Sequence, residues 1–356
     1  MSSLQNEFFI DGRGIGIGHP CFVIAEVGVN HNGNTDTALS MIDAIADAGA
    51  DCVKFQTFKA DEFINKPDEM YEYISQGEVV RESQLTMFRR LELGHSEFTV
   101  LFERARDKGL IPLSTPADRT AVDLLDGLNV GAFKIGSDDL VYTPFIEYVA
   151  SRNKPLIISA GMADEEDIER AIDVIQSTGN NRICLLHCVS LYPTPDKSVN
   201  LLKIPAMQNK FFCPVGFSDH SDGIIAAIGS AALGATVIEK HFTLDKNMPG
   251  PDHRFSADPM ELVDLVTGVR KIETALGKPD IRPDLAEIEM RKIARRSIVA
   301  AHDLPEGHLI SANDLVYQRP GTGFMPYEVD KVVGKRTCVR ISAKETIRPE
   351  HLREGN

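Results

Sequence analysis

The feature that most constrains the fold is an alternation of short apolar, β-branched runs with segments of helical periodicity, repeated eight times between residues 21 and 277. Runs of this kind are typical of buried strands. They lie at residues 21–30, 51–58, 110–117, 132–137, 155–162, 183–189, 214–220 and 236–243. Eight strands alternating with helices over roughly 250 residues are typical of a closed parallel barrel. The sequence therefore predicts an α/β fold, a (β/α)8 TIM barrel, with its active site at the carboxyl ends of the strands.

Shorter regions flank the predicted barrel. Residues 1–20 contain FFIDGRGIGIG, two short apolar pieces around a glycine-rich turn, which predicts an N-terminal hairpin that acts as a lid or plug. Residues 278–294 are rich in proline and charge, which indicates a linker. Residues 295–356 contain short β-like pieces and turn signals such as LPEG and RPGTG, and they predict a small β-rich domain that serves as a lid, cap or dimer contact.

Composition bears on the partners and the location. The 52 acidic residues outnumber the 38 basic ones and no block of five or six like charges occurs, so nucleic acid is not an expected partner. The six cysteines show no CxxC spacing, and we interpret them as reduced core thiols. Because the sequence shows neither a leader pattern nor a run of 18 apolar residues, we expect a cytoplasmic protein without membrane contact.

Polar side chains stand at the end of nearly every predicted strand. They are Glu26, Lys54, Gln56, Ser114, Thr115, Lys134, Ser137, Ser159, His187, Ser218, His220, Glu239 and His241. Buried strands have no structural need of charged ends, so the pattern indicates a site. Lys54 and Lys134 would supply the positive charge of a phosphate pocket, and the hydroxyl groups of Thr115, Ser137 and Ser159 would donate hydrogen bonds there.

Two histidines are candidate metal ligands. His220 and His241 end the seventh and eighth strands, which are neighbours in a barrel, so their imidazoles could reach one ion. Hydrogen-bonded structural histidines explain this spacing equally well. The carboxylates of Glu26, Glu239 and Asp252 favour the metal, since they could act as ligands, as partners of ligands or as a base. Such a set suits Mn²⁺, with Mg²⁺ or Co²⁺ as alternatives, acting as a Lewis acid on a carbonyl.

The motifs around these residues resemble those of the sialic acid synthase family, the bacterial nonulosonate synthases. They are IAEVGVNHNG, ADCVKFQTF, STPAD, FKIGS, ISAGM, HCVSLYPTP, GFSDH, EKHFT, GPDH and RPGTG, in this order. The resemblance implies a TIM barrel followed by an antifreeze-like (SAF) domain, in a homodimer in which each such domain closes over the partner's barrel. It also implies an enzyme that joins phosphoenolpyruvate to an N-acylated amino sugar and releases phosphate.

The resemblance also assigns roles. The residues that match phosphoenolpyruvate contacts are Lys54, Thr115, Lys134, Ser137, Ser159 and Ser218. His220 and His241 match the metal ligands. The positions near the sugar are Gln56, Tyr192 and Asp252, together with Arg319, which would reach from the C-terminal domain into the neighbouring active site. Glu26 is expected to orient or deprotonate a water molecule, and Gln56 and Asp252 are further catalytic candidates.

Several alternatives stay open. Asp139 stands where the family commonly has Glu, and Ser190 stands where users of N-acetylmannosamine often have Asn; both would face the sugar. The product is therefore N-acetylneuraminate or, with a di-acetamido sugar, legionaminate; the NHNG motif disfavours pseudaminate. Alternatives of other classes are a Schiff-base aldolase with Lys54 or Lys134 as nucleophile, and an ice- or carbohydrate-binding protein without activity. Residues 59–93 match no motif.

Overall fold

The computed structural model describes residues 3–353, and the chain divides into two compact units after Gly277. The division falls at the predicted end of the barrel. Residues 1–2 of the predicted hairpin and residues 354–356 of the predicted C-terminal domain lie outside the described residues. Within the described part, no helix has the length and apolar character needed to span a bilayer.

The elements are numbered along the chain. The strands are β1 (Glu7–Ile10), β2 (Arg13–Gly16), β3 (Phe22–Gly28), β4 (Cys52–Thr57), β5 (Met70–Ser75), β6 (Glu78–Ser83), β7 (Ile111–Pro116), β8 (Phe133–Ile135), β9 (Leu156–Ser159), β10 (Ile183–Cys188), β11 (Val215–Asp219), β12 (Val237–His241), β13 (Ser297–Ala300), β14 (Leu315–Gln318), β15 (Arg336–Thr337) and β16 (Leu352–Arg353). The α-helices are α1 (Thr35–Asp47), α2 (Ala60–Phe63), α3 (Gln84–Leu91), α4 (His95–Asp107), α5 (Arg119–Gly127), α6 (Thr143–Ala150), α7 (Glu165–Ser177), α8 (Asp196–Val199), α9 (Lys203–Phe211), α10 (Ile225–Ala232), α11 (Pro259–Leu276) and α12 (Leu285–Ala294). Short 3-10 helices occupy His253–Phe255, Ala312–Asp314, Pro326–Lys331 and Pro349–His351.

Eight parallel strands form the barrel of the first unit. Their hydrogen-bonded order is β7-β4-β3-β12-β11-β10-β9-β8, and β7 packs beside β8, so the sheet nearly closes on itself. Each of the eight lies inside one of the eight apolar runs of the sequence. The predicted (β/α)8 architecture is therefore confirmed.

Each barrel strand has an outer face, which packs against the helices, and an inner face. The inner face changes character along the strand. In β3 the inward residues Phe22 and Ile24 are buried in an apolar interior cluster, and the next residue on that face is Glu26. In β4 the inward Cys52 is followed in the same way by Lys54. The polar groups therefore collect inside the barrel at the carboxyl ends of its strands.

The N-terminal hairpin plugs the other end of the barrel. Strands β1 and β2 pair antiparallel, and Phe8, Ile10 and Ile15 are buried in the same interior cluster as Phe22 and Ile24. Because that cluster lies on the amino-terminal side of the polar groups, the hairpin is a plug and not a lid over the site.

The segment without recognised motifs, residues 59–93, folds into α2, an antiparallel hairpin of β5 and β6, and α3. A small apolar core joins this segment to the barrel. Met87 and Leu91 of the segment pack there with Phe58 and Val29. The segment is thus an ordered insertion after the second barrel strand.

The second unit has a separate apolar core, formed by Ile298, Ala300, Leu304, Ile310, Leu315, Val332, Ile341 and Ile347. Strand β13 pairs with β14, and β15 with β16, all antiparallel. The sequence analysis did not predict helix α12 inside the linker region 278–294. Its signal is a capping box, in which Asp284 and Glu287 satisfy each other's backbone N–H groups at the helix start.

Candidate active site

A cavity of about 410 Å³ opens at the carboxyl ends of the barrel strands. The predicted site residues that line it are Glu26, Lys54, Gln56, Thr115, Lys134, Ser137, Asp139, Ser159, Ser190, Tyr192, Ser218, His220 and His241. Asp252 is not in the lining, but its Oδ2 lies 3.9 Å from Nδ1 of His241. Arg319 is exposed on the second unit, and its role in a partner's site stays a prediction.

Lys54 is the centre of a buried charge cluster. Its Nζ lies 2.8 Å from Oε2 of Glu26 and 3.7 Å from Oε2 of Glu239, and it donates a hydrogen bond to Oγ1 of Thr115 at 3.1 Å. Burial by itself would lower the pKa of Lys54, but the two carboxylates outweigh it and raise the pKa. Lys54 is therefore a fixed cation.

The two carboxyl groups of this cluster, Glu26 and Glu239, have pKa values that are shifted in opposite directions. Burial raises the pKa of Glu26 although the charge of Lys54 opposes it, and the negative charge of Glu239 adds to the rise. Burial acts in the same direction on Glu239, but the charges of Lys134 and Lys54 and a hydrogen bond from Ser218 outweigh it and lower the pKa. Glu239 is therefore the anion, whereas Glu26 is the carboxyl group that can exchange a proton near neutral pH.

Lys134 is the second buried cation of the cavity. Its Nζ donates to Oγ of Ser159 at 2.6 Å and to the carbonyl oxygen of Ile135 at 2.8 Å. Burial lowers its pKa. Beside it, Oγ of Ser137 accepts a hydrogen bond from the N–H of Gly161 at 3.0 Å. One cavity therefore offers two ammonium groups together with hydroxyl groups, which is a set that binds phosphate or carboxylate.

His220 and His241 face each other, with ring centroids 5.4 Å apart. Burial lowers the pKa of both, so the imidazoles are neutral at physiological pH. The carbonyl oxygen of Val189 lies 3.1 Å from Nδ1 of His220 and accepts a hydrogen bond from Nδ1–H, which leaves Nε2 with a free lone pair. Nδ1 of His241 is buried without a hydrogen-bond partner.

These two rings fit a divalent ion as nitrogen donors. Among residues 3–353, however, no group of three or more His, Cys, Asp or Glu side chains is arranged to hold a metal. The chain by itself therefore offers a pair of imidazoles, and oxygen atoms of substrate and water would have to complete the coordination.

Gly28 suits a left-handed backbone conformation and the close approach of Glu26. It has a left-handed φ of +54°, and a Cβ there would meet Oε1 of Glu26 at 3.3 Å, Cε1 of His241 at 3.5 Å and Nε2 of Gln56 at 3.6 Å. Strands β3 and β4 also shift register between Glu26 and Gly28. This irregularity lies where side chains from three strands converge.

Comparisons with known proteins agree with this geometry. A model of the NeuB family matches residues 41–280, and a model of the SAF domain matches residues 295–353. The chain belongs to the NeuB family. The resemblance on which the sequence analysis relied is thereby confirmed, and the protein is an enzyme of the sialic acid synthase type.

Individual relatives cover nearly the whole chain. The N,N'-diacetyllegionaminic acid synthase of Legionella pneumophila is 41% identical over 336 residues, which cover 93% of this chain and 94% of that protein. The human N-acetylneuraminate-9-phosphate synthase is 35% identical over 345 residues, which cover 95% and 94%. The crystal structure of the N-acetylneuraminic acid (sialic acid) synthetase of Leptospira borgpetersenii in complex with citrate superimposes with a TM-score of 0.73 at 33% identity, covering 82% of this chain and 96% of that one.

Two strand-end residues do not join the cavity of this NeuB family protein. Nε2 of His187 lies 2.6 Å from the carbonyl oxygen of Val199, and Oγ of Ser114 lies 2.7 Å from Oγ1 of Thr57. Both follow an inward-facing residue on their strand, so the strand pleat turns them to the outer face.

The sequence analysis missed a buried ion pair behind the two histidines. Lys240 Nζ lies 3.0 Å from Oδ2 of Asp219 and donates to the carbonyl oxygen of Ser221 at 2.5 Å. Asp219 and Lys240 are direct partners across β11 and β12, one residue before His220 and His241. The pair ties together the two strand ends that present the imidazoles.

The cavity also has an aromatic wall, which we define as Phe58, Phe63 and Phe88. None of the three was singled out from the sequence. Phe58 directly follows the recognised KFQT strand, and its position at a strand end could have indicated that it reaches the cavity. Phe63 and Phe88 belong to the segment that matched no motif, so only the tertiary structure assigns them to the site.

Proposed function

We propose that this NeuB family protein condenses phosphoenolpyruvate with an open-chain N-acylated amino sugar and releases phosphate. The observation that carries the proposal is the meeting of Lys54, Lys134, His220 and His241 in one cavity. Two cations suit the phosphate and carboxylate groups of phosphoenolpyruvate, and two neutral imidazoles beside them suit an electrophile that must be polarised.

The reaction forms one C–C bond and breaks one C–O bond. The methylene carbon of phosphoenolpyruvate attacks the aldehyde carbon of the sugar, whose oxygen takes up a proton and becomes a hydroxyl group. Water adds to the cation-like carbon that remains, and phosphate then leaves with its bridging oxygen. Lys54 and Lys134 hold the anionic groups, the anionic Glu239 lies beside the developing positive charge, and Glu26 accepts the proton of the water.

His220 and His241 would hold a divalent ion, for which we propose Mn²⁺, with Mg²⁺ or Co²⁺ as alternatives. When bound, the ion polarises the aldehyde oxygen of the sugar. The neutral rings and the unpartnered Nδ1 of His241 support this assignment. Replacing His220 or His241 with Ala should abolish both turnover and tight Mn²⁺ binding, which electron paramagnetic resonance measures without any turnover.

For the acceptor we propose the di-acetamido trideoxyhexose that leads to N,N'-diacetyllegionaminate. The similarity to the Legionella synthase supports it, as does Ser190, whose Oγ is buried in the cavity without a partner. An N-acetylmannosamine-type aldose, giving N-acetylneuraminate, is the second candidate, favoured by the similarity to the Leptospira enzyme.

One assay tests the reaction and the acceptor together. The purified protein is incubated with Mn²⁺, with phosphoenolpyruvate that carries ¹⁸O in its bridging position, and with each sugar in turn. We expect ¹⁸O in the released phosphate and a product mass that equals the sum of sugar, phosphoenolpyruvate and water minus phosphate, with the di-acetamido sugar turned over fastest. If ¹⁸O stayed in the sugar product, the proposed C–O cleavage would be wrong.

The Schiff-base aldolase is the competing reaction, because burial lowers the pKa of Lys134, which is the direction that makes a lysine more nucleophilic. However, Nζ of Lys134 is engaged in hydrogen bonds to Ser159 and Ile135. The other candidate nucleophile, Lys54, is held as a cation. We therefore expect no covalent adduct after borohydride treatment with pyruvate, and a loss of activity with chelators. A trapped adduct on Lys134, detected by mass spectrometry, would favour the aldolase.

A further inference from the structure

The aromatic wall stands out from the rest of the cavity because it is apolar. Phe88 lies at its centre, with its ring 5.2 Å from that of Phe58 and 5.2 Å from that of Phe63, nearly perpendicular to both. The remaining lining is dominated by lysines, carboxylates, hydroxyl groups and imidazoles. Phe63 is 38% exposed and lines the cavity, so it is available for contact with a ligand.

The wall is also held rigidly. Helix α2, which carries Phe63, is bound to the end of α3 through Glu92, which accepts from Nζ of Lys59 at 2.5 Å and from the N–H of Ala60 at 2.9 Å. Arg89 of α3 pairs with Asp61 of α2. Below the rings, Met87 and Leu91 anchor α3 in the small core of this segment. These contacts are all made within the protein, so they hold the wall in place independently of the polar part of the cavity.

The wall and the histidines extend from strands that are not adjacent in the barrel. Phe58 follows β4, whereas His220 and His241 end β11 and β12, and β3 separates the two groups. If the aldehyde of the acceptor sugar lies at the histidines, the C6 end of its carbon chain extends away from them and can reach the aromatic wall.

We propose that the aromatic wall binds the C6 methyl group of a 6-deoxy acceptor sugar and thereby selects it over the 6-hydroxy sugar. This inference rests on the proposed function and deepens it. A methyl group gains from contact with phenyl rings, whereas a hydroxyl group there would lose its hydrogen bonds to water. A single group of this size in an apolar pocket discriminates by roughly 10- to 200-fold.

The test compares two acceptors that differ only at C6, N-acetylmannosamine and its 6-deoxy analogue. We expect the wild-type protein to bind the 6-deoxy sugar more tightly and to use it with a higher kcat/KM, with a preference of at least about tenfold. Phe63→Ser should reduce the preference by about tenfold. Phe63→Tyr, which keeps the ring and the packing, should shift it toward the 6-hydroxy sugar, because the phenol can hydrogen-bond to the hydroxyl group.

The matched control is Ile74→Ser, on β5 of the same segment. Ile74 is 41% exposed, close to the value for Phe63, and it is not part of the cavity lining. We expect its preference to equal that of the wild type. Thermal melting of each variant separates a loss of folding from a change in selectivity.

The outcomes separate the inference from the function on which it rests. Calorimetric titration with each sugar measures binding without turnover. Equal binding of the two sugars to the wild-type protein, or a preference that Phe63→Ser and Phe63→Tyr leave unchanged, would overturn the role of the wall. Tighter binding of the 6-deoxy sugar without any release of phosphate from phosphoenolpyruvate would instead overturn the proposed reaction and leave the wall as a sugar site.

Discussion

At the scale of single residues, the site depends on polar groups that are buried and yet paired with each other. The charges of Lys54 and Lys134 would be costly to bury alone. Lys54 is paired with Glu26 and Glu239, and Lys134 donates a hydrogen bond to Ser159. Their mutual contacts decide which groups are charged. They also position two cations before any anionic substrate arrives, so little reorganisation is needed on binding.

Asp139 predicts a pH dependence of stability. Burial, together with the charge of Asp138, raises the pKa of Asp139 to about 7. Because this folded-state pKa is above the unfolded value, the proton is held more tightly in the folded state, and stability falls as the pH rises from about 4 to 7. Asp139→Asn should remove this loss. The melting temperature of the variant, measured relative to that of the wild type, should therefore increase between pH 5 and pH 8.

A constant difference in melting temperature across this range would contradict the predicted ionisation. Asp164→Asn is a suitable comparison for protonation effects that do not involve the cavity, because Asp164 caps the exposed start of α7. Because Asn caps a helix about as well as Asp, we expect only a small change in melting temperature for this variant.

We predict that replacing Gly28 lowers both stability and activity. Gly28→Ala would place a side chain at a φ of +54° and 3.3 Å from Oε1 of Glu26. We expect a loss of about 1–2 kcal/mol in the free energy of unfolding from the left-handed conformation, together with a clear fall in kcat. Urea denaturation and steady-state kinetics measure the two effects.

Gly127→Ala is the control for Gly28. Gly127 ends helix α5, and a Cβ there would have no heavy atom within 4 Å. We expect this variant to be neutral or more stable by up to about 1 kcal/mol, with unchanged kinetics. If both glycines tolerated Ala equally, the convergence of side chains at Gly28 would not limit the chain.

At the scale of elements, the barrel strand is the unit that builds the site. Its period of two sends alternate residues to the helices and to the interior, so one strand supplies core packing and chemistry at once. In β12, for example, Glu239 and His241 line the cavity while Lys240 between them is buried in the opposite direction. Neighbouring strands then bring together residues that are far apart along the chain.

The buried pair of Asp219 and Lys240 predicts a large stability effect. Lys240→Met leaves the carboxylate of Asp219 without its cation inside the protein, and we expect a loss of about 3–5 kcal/mol in the free energy of unfolding. The double variant Asp219→Leu, Lys240→Met should recover part of this loss, because no uncompensated charge remains. Urea denaturation of the single and double variants measures the coupling.

Lys292→Met serves as the control for the buried pair. Lys292 and Glu289 form an exposed ion pair on α12, and its removal should cost less than about 1 kcal/mol. Equal losses for Lys240→Met and Lys292→Met would show that burial of the first pair has no energetic consequence.

At the scale of the whole molecule, the second unit has features of an interaction domain. No side chain of α12 is buried, and Leu285, Met290 and Ile293 on this helix are more than half exposed. Several exposed apolar side chains on one helix often mark a protein interface. They support the homodimer that the sequence resemblance implies, which stays a prediction, as does the cytoplasmic location.

A subunit-mixing experiment tests the predicted exchange of domains. If Arg319 acts in the neighbouring active site, Arg319→Ala and His220→Ala each spoil a site through a different subunit. Mixed dimers would then contain one site with neither substitution, so we expect activity to rise well above that of either variant alone, toward about a quarter of wild type for random pairing. No rise after subunit exchange, which light scattering and native mass spectrometry verify, would place Arg319 outside the partner's site.

Much of this architecture could be predicted from the sequence because it follows from local patterns. Eight β-branched runs between amphipathic segments determine a parallel barrel, and the end of each run shows which polar residues reach its mouth. The pairing of His220 with His241 followed from the same reasoning, since consecutive strands of a barrel are neighbours. These inferences need only chain order and the strand period.

Other properties were decided by the tertiary structure alone. The ionisation of Glu26 and Glu239 depends on distances to Lys54 and Lys134 that no spacing along the chain encodes. Phe63 and Phe88 of the aromatic wall come from the segment that matched no motif, and contacts between helices α2 and α3 hold the two residues together. The sequence by itself thus determined the barrel and the set of polar groups at its mouth, whereas their charges and the apolar part of the cavity arise from contacts between distant segments, because burial and Coulomb interactions depend on positions in space.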